Sequence, residues 1–164
     1  MNDFADFFSA RRDVAYRAVL VAVGDRAGAE DAVAEAFARA YQHWASVRNH
    51  PNPTAWVIRV ALNVSRSWWR RRRREFLTAD AHESASGAPS DDTLGGALTE
   101  AIKGLSRRQR EVLALRVAAD MSAEDAGHAL GIATGTVHVH LHRALATLRE
   151  ALAEPTAQTT EAGR

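Results

Sequence analysis

The residues of this chain best suited to chemistry are a run of cations beside two aromatics: Ser67-Trp68-Trp69, then Arg70, Arg71, Arg72, Arg73 and Arg74. Five uninterrupted like charges repel one another, and a polyanion relieves that repulsion. Guanidinium groups pair well with phosphate, and an indole face can stack on an unpaired base. The run therefore points to nucleic acid. Two plainer roles compete. Cations suit the C-terminal end of a helix, and Trp68 and Trp69 can serve as half-buried core. A membrane surface is a rival partner, but no long apolar face accompanies the run.

A second set lies near the C-terminus: Thr134, Thr136, His138, His140, His142 and Arg143. An imidazole ordinarily titrates near pH 6.5, so such residues could strengthen phosphate binding as pH falls. His138 and His142 stand at i,i+4 on a helix, but two imidazoles without a third ligand fall short of a zinc site. The plain reading of this stretch is a small three-helix module with no nucleic acid in it.

Composition narrows the classes. The chain has 164 residues and no cysteine, which excludes disulfides, thiol chemistry and cysteine-based metal sites. No run approaches the roughly 20 apolar residues of a membrane span, and Asp3 and Asp6 do not suit a secretory signal. A cytoplasmic protein that is not in the membrane, needs no cofactor and is no enzyme is expected. The formal net charge of +1 conceals strong segment polarity. Residues 1–75 carry 13 arginines and 8 acids; residues 76–97 carry 4 acids and no base; the remainder balances 8 against 8. A duplex-binding module with no net charge must bind weakly alone or gain affinity elsewhere.

The elements that position these residues read as all-α: two small helical domains joined by a flexible acidic linker, the second with a helix-turn-helix. Periodicity predicts a first helix to about Val23 with an aromatic cluster at Phe4, Phe7 and Phe8, and a second over 29–44. In the second, Val33, Phe37, Tyr41 and Trp44 fall at spacings of four, four and three. Its early exposed side, Glu30, Asp31 and Glu35, favours the helix dipole or offers a docking face. A loop is expected over 45–53, then a helix from Ala55 to about Arg74 capped by Thr54. Residues 76–97 lose periodicity and read as the linker; residues 153–164 read as a disordered tail. The two domains are thus 1–75 and 98–152. Their modest cores imply relative motion and partner-dependent stability.

Within 105–150, three helical patterns follow one another. Ser106 suits an N-cap, with Gln109 placed one position too early for a capping-box partner. Ser122 caps the next helix, Gly131 turns the chain, and Thr134 caps the last. Val137, Leu141, Leu145 and Leu148 form one apolar stripe. Outward residues near the start of such a second helix reach bases or phosphates in a helix-turn-helix.

Two stretches together resemble one family. AEDAVAEAFARAYQHW followed by NPTAWVIRVALNVSRSWWRRRR is similar to sigma region 2. LSRRQREVLALRVAADMSAEDAGHALGIATGTVHVHLHRALATLRE resembles sigma region 4. The order and short linker are those of group IV, or extracytoplasmic-function, RNA polymerase sigma factors. LuxR-type response regulators end in a similar module, but no receiver domain precedes this one. The resemblance implies promoter recognition at the −10 and −35 elements on behalf of core polymerase. Asp31, Glu35 and Phe37 would dock on the polymerase β′ clamp helices. Asn63 would meet the flipped −10 base, with Val47 near its pocket. Arg59, Arg66 and the arginines from Arg70 to Arg74 would face promoter backbone. The set from Thr134 to Arg143 would read the −35 element.

Five positions depart from the family pattern. Ala34 replaces a glutamine, His138 and His140 replace two usual bases, and Ala126-Gly127 replaces Ile-Ala. An anti-sigma factor, often membrane-tethered in the family, is a further implied partner. A stand-alone helix-turn-helix regulator and a sigma-like decoy are the competing readings.

Overall fold

Alanine sets how closely the first helices approach. The computed structural model describes residues 3–78 and 95–153. Helices α1 (Asp3–Val23), α2 (Arg26–Gln42) and α4 (Pro53–Thr78) pack on one another, with the short α3 (Trp44–Val47) between the last two. Ala15, Ala18, Ala29, Ala32, Ala36, Ala40 and Ala61 are all fully buried. Small side chains let helix backbones come close, but each buries little apolar area. The larger core groups are Val19, Phe37, Val57, Ile58, Leu62 and Val64. Phe4, Phe7, Phe8, Phe37, Tyr41 and Trp44 form a chain of ring contacts at one end; Phe37 is buried, Phe4, Phe7, Phe8 and Trp44 are half-buried against the core, and Tyr41 is exposed.

Helix starts are set by side chains that the periodicity does not single out. Asp25 caps α2, accepting from the Gly28 amide at 3.0 Å, which begins the helix three residues earlier than expected. Asn52, rather than Thr54, caps α4: its Oδ1 accepts from the Ala55 amide at 3.0 Å. At the far end α4 continues past residue 75, where the Thr78 hydroxyl donates to the Arg74 and Glu75 carbonyls. Good helix formers such as Arg, Glu and Leu carry it that far. The expected loop over 45–53 contains the α3 turn.

The second half comprises α5 (Gly96–Lys103), α6 (Arg107–Leu113), a π-helical turn (Ala114–Ala118), α7 (Ala123–Leu130) and α8 (Thr134–Ala153). Helix α5 thus begins inside the stretch read as linker; most of that stretch, and the tail from residue 154, lie outside the described residues. Ser106 caps α6, and Gln109 completes a capping box: its side chain accepts from the Ser106 amide at 3.1 Å while its amide donates to Ser106 Oγ at 3.3 Å. With Ser106 as cap, Gln109 is the third helical residue, the position that the reciprocal bond needs. Ser122 caps α7 through the Asp125 amide. Thr134 is already helical rather than a cap, since the helix bond from Val137 runs to the Ala133 carbonyl.

The two halves are not separate in packing. One apolar cluster contains Val19, Val57 and Ile58 from the first half and Val112, Leu115, Met121, Ala126 and Val137 from the second. A smaller cluster of Ile102, Leu105, Leu113, Ala144 and Leu148 lies within the second half. The alanine-rich first core is thin, and covering it with Leu115 and Val112 buries apolar surface that neither half buries alone. All regular structure among the described residues is helical.

Candidate nucleic-acid interface

Helix α4 presents one long polar row. Residues three or four apart return to one side of a helix, so Arg59, Asn63, Arg66, Arg70 and Arg74 share a face. The opposite side is the buried one, with Val57, Ile58, Ala61 and Val64. Asn63 is exposed, as are Arg59, Arg70 and Arg74. Arg71 and Arg72 turn away. They border a groove with Asp31 of α2, Trp68 and Glu75. The five consecutive arginines therefore wrap the helix as a collar instead of forming a single face. Arg73 lies over the Trp69 ring at 5.1 Å, and Trp69 is 59% exposed. Trp68 is the half-buried member of the pair and packs on the core.

Two expected site residues are core. Phe37 is 3% exposed and meets the Phe8 ring edge-on at 5.0 Å, so it packs as core at the base of the α1–α2 groove. Its place in the four-four-three stripe carries this signal. Val47, at the end of α3, is 2% exposed and packs into the core cluster. On the outer side of α2, Asp31 is exposed and Glu35 is half-exposed, accepting from Arg39 Nε at 2.7 Å. An exposed i,i+4 pair of this kind contributes a few tenths of a kcal/mol and leaves the face charged.

Arg66 is the member of the α4 row with an unexpected partner. Its Nε and Nη2 donate to Glu111 Oε1 of α6 at 3.1 and 2.6 Å, and its Nη1 reaches Asn63 Oδ1 at 3.4 Å. Beside them, Arg59, Leu62, Asn63 and Arg66 form one wall of a cavity of about 190 Å³; Leu130 and Gly131 at the end of α7 help to form the other. The −10 face expected from the sequence is thus partly covered by the second half.

The turn between α7 and α8 has tight geometry. Gly131 adopts φ 66°, the left-handed conformation that closes a helix C-terminus, and the Ile132 amide donates to the Gly127 carbonyl at 3.0 Å. Gly127 is required for space: a Cβ there would lie 2.8 Å from the Ile132 carbonyl oxygen. The departure from the family pattern at this position coincides with a close backbone approach.

On α8, Val137, Ala144 and Leu148 are buried, and Leu141 packs beside them. Thr134, Thr136, His138, His142 and Arg143 are exposed together with Gly135 and Val139. His140, closer to the Val137 side, is half-buried. The outward set therefore forms one accessible surface at the N-terminal part of a second helix after a tight turn, the geometry with which helix-turn-helix proteins enter a major groove.

Comparisons with known proteins identify a family for each half of the chain. The family model for sigma-70 region 2 matches residues 7–75, and that for sigma-70 region 4 matches residues 95–148. The RNA polymerase sigma-E factor of Streptomyces coelicolor is 34% identical over 155 residues, covering 92% of this chain and 86% of that protein. The ECF RNA polymerase sigma factor SigL of Mycobacterium tuberculosis is 33% identical over 150 residues, covering 86% and 84%. Among solved structures, the sigma factor RpoE of Bartonella quintana, in complex with the anti-sigma factor NepR, superposes with a TM-score of 0.79 at 27% identity, over 93% of this chain and 98% of that one. With region 2 and region 4 in order along one chain, and relatives a third identical over most of both lengths, the chain belongs to the extracytoplasmic-function RNA polymerase sigma factors.

Proposed function

We infer that this sigma factor docks on core RNA polymerase through the acidic outer side of α2, with Asp31 and Glu35 as its charged contacts. Helix α4 takes the opened −10 strand, Asn63 meeting an unpaired base and Arg59, Arg66, Arg70 and Arg74 meeting phosphate. Helix α8 reads the −35 duplex through Thr134, Thr136, His138, His142 and Arg143, with His140 at the edge of that surface. The observation that carries this reading is the row on α4, a neutral amide donor and acceptor set among four guanidinium groups on one face. Such a row can grip a backbone and hydrogen-bond a base at once.

Core polymerase supplies the catalytic metals and chemistry; this chain supplies placement. Pulling a base from the stack costs a few kcal/mol, which pocket contacts offset. Tethering both halves to one polymerase raises their effective concentration at the promoter, so the uncharged second half can bind weakly on its own. An anti-sigma factor is the expected regulator, supported by the similarity to a sigma factor solved with NepR. The presence of both sigma regions favours this reading over a stand-alone helix-turn-helix regulator.

The test is transcription in vitro with purified core polymerase and sheared genomic DNA from the source cell, mapping 5′ ends with and without the chain. New starts that share an upstream sequence at a fixed distance are expected. Tight core binding without new starts would replace this reading with the decoy.

A further inference from the structure

Gly135, Val139 and His142 follow one another at spacings of four and three, so they form one line along α8. That line runs along the middle of the outward face, opposite the buried Val137, Ala144 and Leu148. Thr136 and Arg143 border it on one side and His138 on the other, all of them exposed.

The two members nearest the turn have no use inside the described structure. A Cβ at Gly135 would meet no described atom within 4 Å, whereas one at Gly127 would lie 2.8 Å from a carbonyl oxygen. A glycine in a helix costs up to about 1 kcal/mol relative to alanine, and packing does not account for it here. Val139 is 47% exposed. A single exposed valine is ordinary on a protein surface. This one stands one turn beyond a glycine the fold does not need, at the centre of the face that a major groove would enclose.

We propose that Gly135 and Val139 set the base preference of the −35 contact: the bare backbone at Gly135 lets the start of α8 approach the groove floor, and the Val139 isopropyl group packs on the 5-methyl group of a thymine there. The inference rests on the assignment of α8 to the −35 duplex and adds the base that is read. In the major groove thymine presents a methyl group, whereas the other three bases present hydrogen-bonding edges without one. Valine has no donor or acceptor, so against such an edge it would displace water without replacing the hydrogen bonds. The hydroxyl, imidazole and guanidinium groups along the borders suit phosphate, which fixes register without reading sequence. Because the charges of this half balance, an apolar base contact also supplies affinity that salt does not screen.

The test uses the full chain bound to core polymerase and a promoter fragment whose start has been mapped with the unaltered chain. The base pairs of the −35 segment are randomised, and the bound pool is sequenced. One position should show a thymine preference that Val139→Ala loses while the other positions keep theirs. Each thymine of the preferred segment is then replaced by deoxyuridine, which removes only the methyl group. At the Val139 position this should weaken binding of the unaltered complex about fourfold, the worth of one buried carbon, and leave Val139→Ala unaffected. Gly135→Ala should weaken binding about tenfold, the scale of crowding a tight contact. Its unfolding temperature should hold or rise, since alanine is the better helix former.

Deoxyuridine accepted as well as thymine at every position would overturn the methyl contact. That arm uses the unaltered chain, so misfolding of a variant has no bearing on it. An equal deoxyuridine loss in Val139→Ala would give the methyl to another side chain and overturn the role of Val139. Unchanged binding by Gly135→Ala, or a lower unfolding temperature, would overturn the close approach. Failure of the unaltered chain to direct any start is a separate result: it would remove the promoter assignment, and this inference with it.

Discussion

Arg66 and Glu111 stand 45 residues apart in the chain and meet at 2.6 Å across the boundary between the two sigma regions. The pair joins the helix assigned to the −10 strand with the helix that supports the −35 reader. Its partners are unequal: Arg66 is partly solvated, whereas the Glu111 side chain is almost wholly enclosed. That asymmetry sets the first expectation.

Removing the enclosed partner should cost more than removing the solvated one. Glu111→Ala leaves Arg66 and Arg108 facing a vacated apolar site and should destabilise the chain by about 3 kcal/mol. Arg66→Ala leaves Glu111 bonded to Arg108 and should cost roughly 1 kcal/mol. Urea denaturation measures both, and equal losses would contradict the geometry.

The arginine collar has two sides, one continuing the α4 row and one bordering the groove beside Asp31. Replacing Arg70 and Arg74 by alanine should lower the salt dependence of promoter binding by the polymerase complex, by about 0.7 in slope for each single-strand phosphate no longer neutralised. Replacing Arg71 and Arg72, which border the groove beside Asp31, should leave that slope near its starting value. A larger change from the second pair would reverse the assignment of faces.

Asn63→Ala should reduce open-complex formation while leaving affinity for core polymerase unchanged. The side chain is exposed, so the fold should lose no more than about 0.5 kcal/mol. Permanganate footprinting at the −10 element and core-binding titration, run side by side, separate the two effects. Equal loss in both would place Asn63 in folding.

Gly127→Ala forces a methyl group toward the Ile132 carbonyl and should destabilise the second half by about 2 kcal/mol, the range for overpacking a tight site. Thermal unfolding and −35 duplex binding should fall together. An unchanged melting temperature would mean that the turn relaxes freely.

The sequence makes the helices legible where local chemistry governs them. Ser106, Ser122 and Gly131 mark helix ends because each satisfies backbone groups within a few residues. The same locality explains the errors. Thr54 and Thr134 have the right chemistry for caps, but Asn52 offers its Oδ1 at the residue before α4, and Ala133 supplies the first carbonyl of α8. Phe37 and Val47 receive outward roles by resemblance although their apolar side chains favour the core they occupy. The Arg66–Glu111 pair lies beyond any local pattern. Arg66 reads as one more cation on a basic helix, Glu111 as one acid among four arginines on α6 and its flank, and nothing along the chain announces that they face each other. The shared apolar cluster is hidden for the same reason: the alanine content of the first core predicts weakness but not what covers it.

The collar at residues 70–74 has a consequence for how the chain meets a polymer. Charge wound around a rod attracts a polyanion over long range from many directions, although only Arg70 and Arg74 continue the straight row of α4. On the proposed reading, orientation then comes from the straight row of Arg59, Asn63, Arg66, Arg70 and Arg74, in which a single amide breaks the line of guanidinium groups. Attraction and alignment are thus carried by overlapping lengths of one helix, and a strand captured by the first can roll until its bases meet the second.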